Sequence, residues 1–275
     1  MSARETKEVP DTLLVINSGS SSIRFSVRQR NDPEEELLSG KIERIGLPGA
    51  TFSWRKGAES GAVKKSRDFG DHGNAAEFLL RWLDSRESAR GIAAIGHRIV
   101  HGGPKYFQPT RVTKALLKEL KRITPYDPEH LPAQIGLIEI FQKQKPALPQ
   151  LACFDTAFHA GMPMEAKMLA IPRKYFKEGI HRYGFHGLSY SYLMEQIAKL
   201  DGAKAARGRL VLAHLGNGAS LAAVRGGKSI DTTMAFTPTA GIPMSSRSGD
   251  LDPGLFLFLS RKKGMTPEQF QRMVN

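Results

Sequence analysis

A strand–turn–strand pattern occurs twice in these 275 residues, and it limits the chain to a small set of folds. Near the start, the apolar residues 13–16 run into Asn17-Ser18-Gly19-Ser20-Ser21-Ser22, after which Ile23, Phe25 and Val27 alternate with polar residues. Far along the chain, the apolar residues 210–213 run through His214-Leu215 into Gly216-Asn217-Gly218-Ala219-Ser220, and a second apolar stretch, 221–224, follows. Apolar runs that flank a small polar turn read as paired strands. A turn of Gly, Ser and Asn has no bulky side chain, so its N–H groups and hydroxyls can surround phosphate oxygens. Two copies predict two related domains that together hold phosphates. A single turn of this kind is also compatible with a hairpin that binds nothing. Neither turn carries the lysine of GxxxxGK[ST], and no GxGxxG opens a helix.

Length allows two domains or one large one. The hydrophobic share of 40% and the charged share of 24% are those of a globular protein. No apolar run approaches the ~20 residues that span a bilayer. The polar start MSARETKEVPD lacks a signal-peptide core. These features predict a cytoplasmic protein without membrane partners. Cys153, the single cysteine, lies in an apolar run and reads as a reduced, buried thiol. The net charge of +13 favours anionic partners, but the Lys and Arg residues are dispersed, which argues against nucleic acid.

Helix, strand and hairpin signals alternate throughout, which predicts α/β layers. Residues 12–28 form a strand pair; 31–36 and 56–74 read as loops or edge hairpins. Asn74, with Glu77 three residues on, predicts a capped helix whose apolar face carries Phe78, Leu79, Trp82 and Leu83. Residues 92–100 read as a buried strand, helices follow around Leu116 and from Pro132, and a strand spans 151–154. A boundary near residue 150 divides the chain into domains 1–150 and 151–275. Asp252-Pro253 opens a helix ending at Gly264, and Thr266 with Gln269 opens another. The sequence stops about two turns later, at Asn275. The expectation is a chain cut inside its second domain.

Four further segments carry chemistry. Gly96-His97-Arg98 sets an arginine in an apolar strand, where it needs a partner, a structural carboxylate being one option. His97 and His101 lack an evident third ligand for a zinc site. Asp155 ends a buried strand, His186 sits between an aromatic residue and a glycine, and Arg247 lies on a small-residue loop. Each taken singly has a structural reading. Together they suit phosphoryl transfer, where catalysis is mostly positioning and charge stabilisation.

At these residues the chain resembles the acetate kinase family, within the superfamily of acetate and sugar kinases, heat-shock cognate 70 and actin. The matching segments are VINSGSSSIRFSV, GHRIVHGG, FDTAFH, RYGFHGLSY, HLGNGAS and FTPTAGIPMSSRSGDLDP, in that order. The resemblance implies a two-domain actin-like (ribonuclease H-like) α/β fold with mixed sheets flanked by helices, the second domain incomplete here. It implies reversible phosphoryl transfer from ATP to acetate, with Mg2+ or Mn2+ as cofactor, giving acetyl phosphate and ADP. It also implies a homodimer when the protein is complete. Arg98 and Arg247 would flank the acyl carboxylate and the moving phosphoryl group, and His186 and Asn217 would donate to that group. Asp155 would position the nucleotide or the carboxylate. Asn17, Ser20, Ser22, Arg24, Gly216, Asn217 and Gly218 would hold the nucleotide phosphates. Asn17 would also serve the metal, with a second ligand in a segment beyond residue 275. Val100, Phe185 and Pro238 match positions that line the pocket for the methyl group.

Three departures stand out. Tyr126 and Asp127 replace a pocket leucine and an active-site histidine, which predicts weak acetate affinity or an altered acyl preference, with His130 supplying the missing donor. Arg24 replaces a lysine. The family's adenosine-binding segments and a magnesium-holding glutamate are missing, so weak ATP binding and exposed apolar faces are expected of this chain. The alternatives are a kinase for propionate or another short carboxylate, and a catalytically silent fragment that binds phosphate or a protein partner.

Overall fold

The computed structural model describes residues 11–64, 69–89 and 91–275. Residues 65–68, within the stretch 56–74, and the first ten residues of the polar start lie outside the described residues. The chain forms two compact units. One holds residues up to Ile99 together with Pro109–Cys153; the other holds Val100–Gln108 together with Phe154–Asn275. The division is therefore not a single cut along the sequence.

The first unit is built on β1 (Thr12–Ser18), β2 (Ser22–Gln29), β3 (Glu36–Glu43), β4 (Thr51–Lys56) and β5 (Glu59–Lys64). Helix α1 (His72–Asp84) follows, then β6 (Ile92–Ile99), β7 (Thr110–Arg111), α2 (Lys114–Arg122), α3 (Leu131–Gln144) and β8 (Gln150–Phe154). The strands form one sheet in the order β5-β4-β3-β2-β1-β6-β8-β7. β1 and β6 run parallel, whereas β1 through β5 pair successively antiparallel. Alternation sends Leu14, Ile16, Ile23, Phe25, Val27, Leu38, Ile42 and Phe52 to one face, where Leu79 and Leu83 of α1 and Phe141 of α3 cover them. Phe52 meets Trp82 edge-on at 4.9 Å and Phe78 at 5.1 Å. The cap of α1 is Asp71, whose carboxylate accepts from the Asn74 N–H; Asn74 is therefore inside the helix, not its cap. An acid three residues earlier offers the better acceptor to the positive helix end.

The second unit contains α4 (Met164–Lys167), α5 (Arg173–Lys177), α6 (Gly187–Leu200) and α7 (Gly202–Ala206). It continues with β9 (Arg209–Leu215), β10 (Ala219–Arg225), β11 (Lys228–Thr232), α8 (Gly254–Lys263) and α9 (Pro267–Val274). Its strands form a sheet in the order β11-β10-β9. Tyr190, Leu212, Ala222 and Val224 make a small core with Phe158, Leu193 and Ile197. Val211 and Leu215 on β9 stay 74% exposed. Thr266 and Gln269 form the expected capping box. Among the described residues no helix is long and apolar enough to cross a membrane.

Cys153 is only partly buried, a correction to its sequence reading, because alternation puts Ala152 and Phe154 inward instead. Burial still raises its thiol pKa. Burial also holds the imidazoles of His97 and His159 down to about 4. His97 contacts Gln150 Oε1 through Nε2 at 2.7 Å, and His159 contacts Ser229 Oγ and Phe185 O at 2.8 and 3.0 Å. Both are neutral in the fold at pH 7 and bind protons more readily once unfolded. Their contribution is therefore complete above pH ~6.5 and is lost as pH falls towards ~4, roughly 3 kcal/mol for each ring. Urea midpoints should fall steadily across that window, and His97→Gln should flatten the profile. An unchanged slope in His97→Gln would show that this ring does not contribute.

Candidate active site

In the first unit, Asn17 at the end of β1 pairs in register with Arg24 on β2 and with Arg98 on β6. The neighbours Ile16, Ile23, Phe25 and Ile99 point into the core, so Asn17, Arg24 and Arg98 share the opposite face. Adjacent strands lie about 4.8 Å apart, which sets one amide between two guanidinium-bearing residues. Arg98 Nη1 donates to Asn17 Oδ1 at 3.0 Å, so the half-buried arginine has an amide as one partner. The following turn closes by Gly19 N–H to Ser22 O at 2.8 Å. Its carbonyls are held from below: Gln134 Nε2 donates to Ser18 O at 3.2 Å, and His72 Nε2 contacts Gly19 O at 2.8 Å. Ser20 is exposed and Ser22 partly buried.

Tyr126 and Asp127 lie between α2 and α3. Asp127 is 4% exposed and accepts from the His130 backbone N–H at 3.1 Å. Its Oδ1 also lies 2.9 Å from His130 Nδ1. Asp127 is thus no bare carboxylate, and the imidazole expected to supply a donor is already engaged with it.

In the second unit, Gly187 opens α6 against the end of β8. Its N–H donates to Asp155 O at 2.7 Å, and a Cβ there would stand 2.2 Å from that oxygen. Only glycine permits this approach. The residue before it, His186, takes a left-handed conformation with φ 59°. For a non-glycine residue that costs of order 1–3 kcal/mol, and surrounding contacts must over-determine it. They do so: Nδ1 contacts Ser220 Oγ at 2.9 Å, and the ring stacks on His214 at 3.9 Å. Ser220 Oγ lies 2.5 Å from Tyr190 Oη, and His214 Nδ1 lies 3.0 Å from Ser189 Oγ. Burial raises the Tyr190 pKa, so the phenol keeps its proton.

The second small turn reaches the same place. A Cβ on Gly218 would stand 3.1 Å from Arg247 Nη1 and 3.3 Å from His186 Nε2, so the loop backbone runs beside both side chains. Gly216 N–H closes the turn onto Gly218 O at 3.1 Å. Ser245 Oγ donates to Asn217 O at 2.9 Å, tying this turn to the loop that carries Arg247. Arg247 Nη1 also donates to Pro238 O at 3.3 Å. Val100 and Phe185 are buried, and Asp155 is 2% exposed. The second unit therefore gathers His186, Gly216, Asn217, Gly218, Pro238 and Arg247, while the first gathers Asn17, Arg24 and Arg98. Ser220, Tyr190 and Ser245 were not singled out by sequence, although each lies inside a matching segment.

Residues 12–275 match the family model described as "Acetokinase family". The acetate kinase of Oceanobacillus iheyensis is 40% identical over 268 residues, 96% of this chain and 66% of that protein. The acetate kinase of Staphylococcus aureus strain JH9 is 41% identical over the same shares. The chain thus spans 66% of the length of these curated relatives. A propionate kinase from Francisella tularensis superposes with a TM-score of 0.90 at 35% identity, covering 96% of this chain and 68% of that one. Porphyromonas gingivalis acetate kinase gives a TM-score of 0.84 at 34% identity, with 96% and 67% covered. These solved structures share the mixed α/β architecture described above, and the chain belongs to the acetokinase family.

Proposed function

We propose that this chain carries the phosphoryl-transfer residues of a kinase that converts a short carboxylate and ATP into an acyl phosphate and ADP. The observation that carries this reading is the meeting of Arg247 Nη1 and His186 Nε2 beside Gly218, at 3.1 and 3.3 Å from its Cβ position. A cation, an imidazole and an unobstructed backbone then face one small volume, an arrangement suited to a phosphoryl group. The name acetate kinase, borne by relatives at 40–41% identity, supports acetate as the acceptor. The propionate kinase named above supports propionate as the alternative.

In this reading a carboxylate oxygen attacks the terminal phosphorus. Its new P–O bond forms as the bond to the ADP oxygen breaks, and the negative charge passes to ADP. The carboxylate is already an anion at neutral pH, so no general base is required. Arg247 and Arg98 hold oxygens through planar forks. For neutral His186 to donate from Nε2, its Nδ1 must accept. The Ser220 hydroxyl supplies that proton and in turn accepts from Tyr190 Oη. This relay sets the tautomer and ring angle of His186. The amide oxygen of Asn17 is a hard donor of the kind that would serve a magnesium ion which keeps several waters and takes most other ligands from phosphates, while Asp155 would position the nucleotide or the carboxylate. Such an ion, when bound, would supply positive charge that offsets the charge of the phosphates. Pairing of two copies is part of the same proposal and is checked by sedimentation.

The test is trapping of acyl phosphate by hydroxylamine with ATP, Mg2+ and acetate, propionate or butyrate. Equal yields of acyl phosphate and ADP are expected. ATP binding without product for any acid would leave a binding role and remove the kinase. Asp127→His should alter the KM or the ranking of the acids by several-fold, because it replaces an acid engaged by His130 with a donor. If neither KM nor ranking moved, Asp127 would lie outside the acyl pocket.

A further inference from the structure

The second unit encloses a cavity of about 110 Å3 that the proposed reaction does not use. Its lining includes the aromatic residues Tyr106, Phe107 and Tyr183 and the basic residues Lys167, His181 and Arg182. No acid is among its lining residues. Gly103, Thr156, His159 and Tyr183 are its buried wall residues, whereas Phe107 is 49% exposed and marks the mouth. Two of the polar groups are committed elsewhere. Both ring nitrogens of His159 have partners, and Arg182 donates to the carbonyls of Ala166, Thr232, Thr233 and Met234.

Lys167 and His181 differ. Lys167 Nζ donates to Ala160 O at 2.6 Å, which occupies one of its three N–H groups. His181 Nδ1 contacts Arg182 O at 3.0 Å, and its ring stacks on Tyr183 at 4.0 Å, leaving Nε2 as its second polar atom. Burial lowers the pKa of Lys167. Burial first, and the charge of Lys167 second, lower that of His181. Two basic groups thus share one partly dry space that disfavours their charged forms, and an anion between them would offset that cost.

We propose that this cavity binds a small monocarboxylate, with its carboxylate on Lys167 and His181 and its short chain against Tyr106, Phe107 and Tyr183. The space equals roughly four waters at about 30 Å3 each, which suits an acid of about three to five carbons and excludes a nucleotide. Inorganic phosphate fits less well, because it brings up to two charges and no apolar surface to three aromatic walls. This site is separate from the residues assigned to phosphoryl transfer, since none of the lining residues belongs to that set.

Butyrate is the probe, titrated into the chain and followed by proton NMR. Cross-peaks are expected from its methyl group to the rings of Tyr106, Phe107 and Tyr183. Binding should persist in Arg247→Ala and weaken at least about tenfold in Lys167→Gln, which removes a charged hydrogen bond. Ala160→Leu, which fills the cavity and leaves Lys167 in place, should abolish the cross-peaks. It decides the matter alone if Lys167→Gln fails to fold. Phosphate at the same concentration should not displace butyrate. Displacement by phosphate, butyrate binding unaffected by Ala160→Leu, or absence of ring cross-peaks would each overturn the proposal. Loss of binding in Arg247→Ala would do the same, by assigning the acid to the phosphoryl-transfer residues instead.

Discussion

Arg247→Ala should lower acyl phosphate formation by about a hundredfold while circular dichroism and the melting profile stay close to those of the parent. Removing one donor to a transition-state charge costs roughly 3 kcal/mol in such sites. The structural cost is smaller. Arg247 is partly buried, and its Nη1 makes two long contacts, 3.3 Å to Pro238 O and 3.9 Å to Met244 Sδ. An interaction of that kind contributes only about 1 kcal/mol to stability. Arg98→Ala should behave similarly, with the Asn17 amide losing a 3.0 Å contact. Arg98→Lys separates charge from shape: it keeps the cation and loses the planar fork, so only part of the activity should return. Turnover within a few-fold of the parent in Arg247→Ala would remove that residue from the reaction. A collapsed melting profile would instead recast it as structural.

Why these residues could be found from sequence, and others could not, follows from the kind of signal each leaves. The two small turns were legible because period-two apolar runs flank them, and the paired strands β1–β2 and β9–β10 appear where the alternation placed them. Of the stretch 56–74, read as loop or edge hairpin, residues 59–64 form β5, which pairs with β4 at the sheet edge, whereas 72–74 belong to α1. The capping box at Thr266 is a local pattern, and local patterns survive into the fold. The start of α1 shows the limit. Asp71 and Asn74 both have capping side chains, and the choice between them depends on where the chain enters the helix. The Ser220–Tyr190 relay to His186 left no periodic trace, because it joins residues 30 and 34 apart through hydroxyls. The pairing of Asp127 with His130 was hidden for a different reason. By its motif Asp127 stands in place of an active-site histidine, whereas geometry engages it with the backbone N–H and ring of its neighbour His130. Nor does any local pattern mark the return of Val100–Gln108 to the second unit, since that depends on contacts with residues far along the chain.

Gly187→Ala and Gly136→Ala should have opposite effects, although both put a methyl group on a helix. Gly136 lies within α3, and a Cβ there meets nothing within 4 Å. Alanine at that position should therefore stabilise by up to about 1 kcal/mol through helix propensity alone. Gly187 is the first residue of α6, where a Cβ would stand 2.2 Å from Asp155 O and 3.0 Å from Phe158 Cβ. Neither obstacle is the free end of a flexible side chain, so backbone must move. Overpacking of this kind costs about 1–3 kcal/mol. It also stretches the 2.7 Å bond from Gly187 N–H to Asp155 O that joins the end of β8 to α6. The displacement falls on His186, whose φ of 59° depends on its hold by Ser220 and His214. Turnover in Gly187→Ala should thus fall further than the loss of stability explains when measured well below the melting midpoint. Chemical denaturation of both variants, with acyl phosphate formation at a temperature where each is folded, checks the contrast. A Gly187→Ala protein as stable and as active as the parent would mean that the strand end and the helix start are not in the close contact on which the placement of His186 rests.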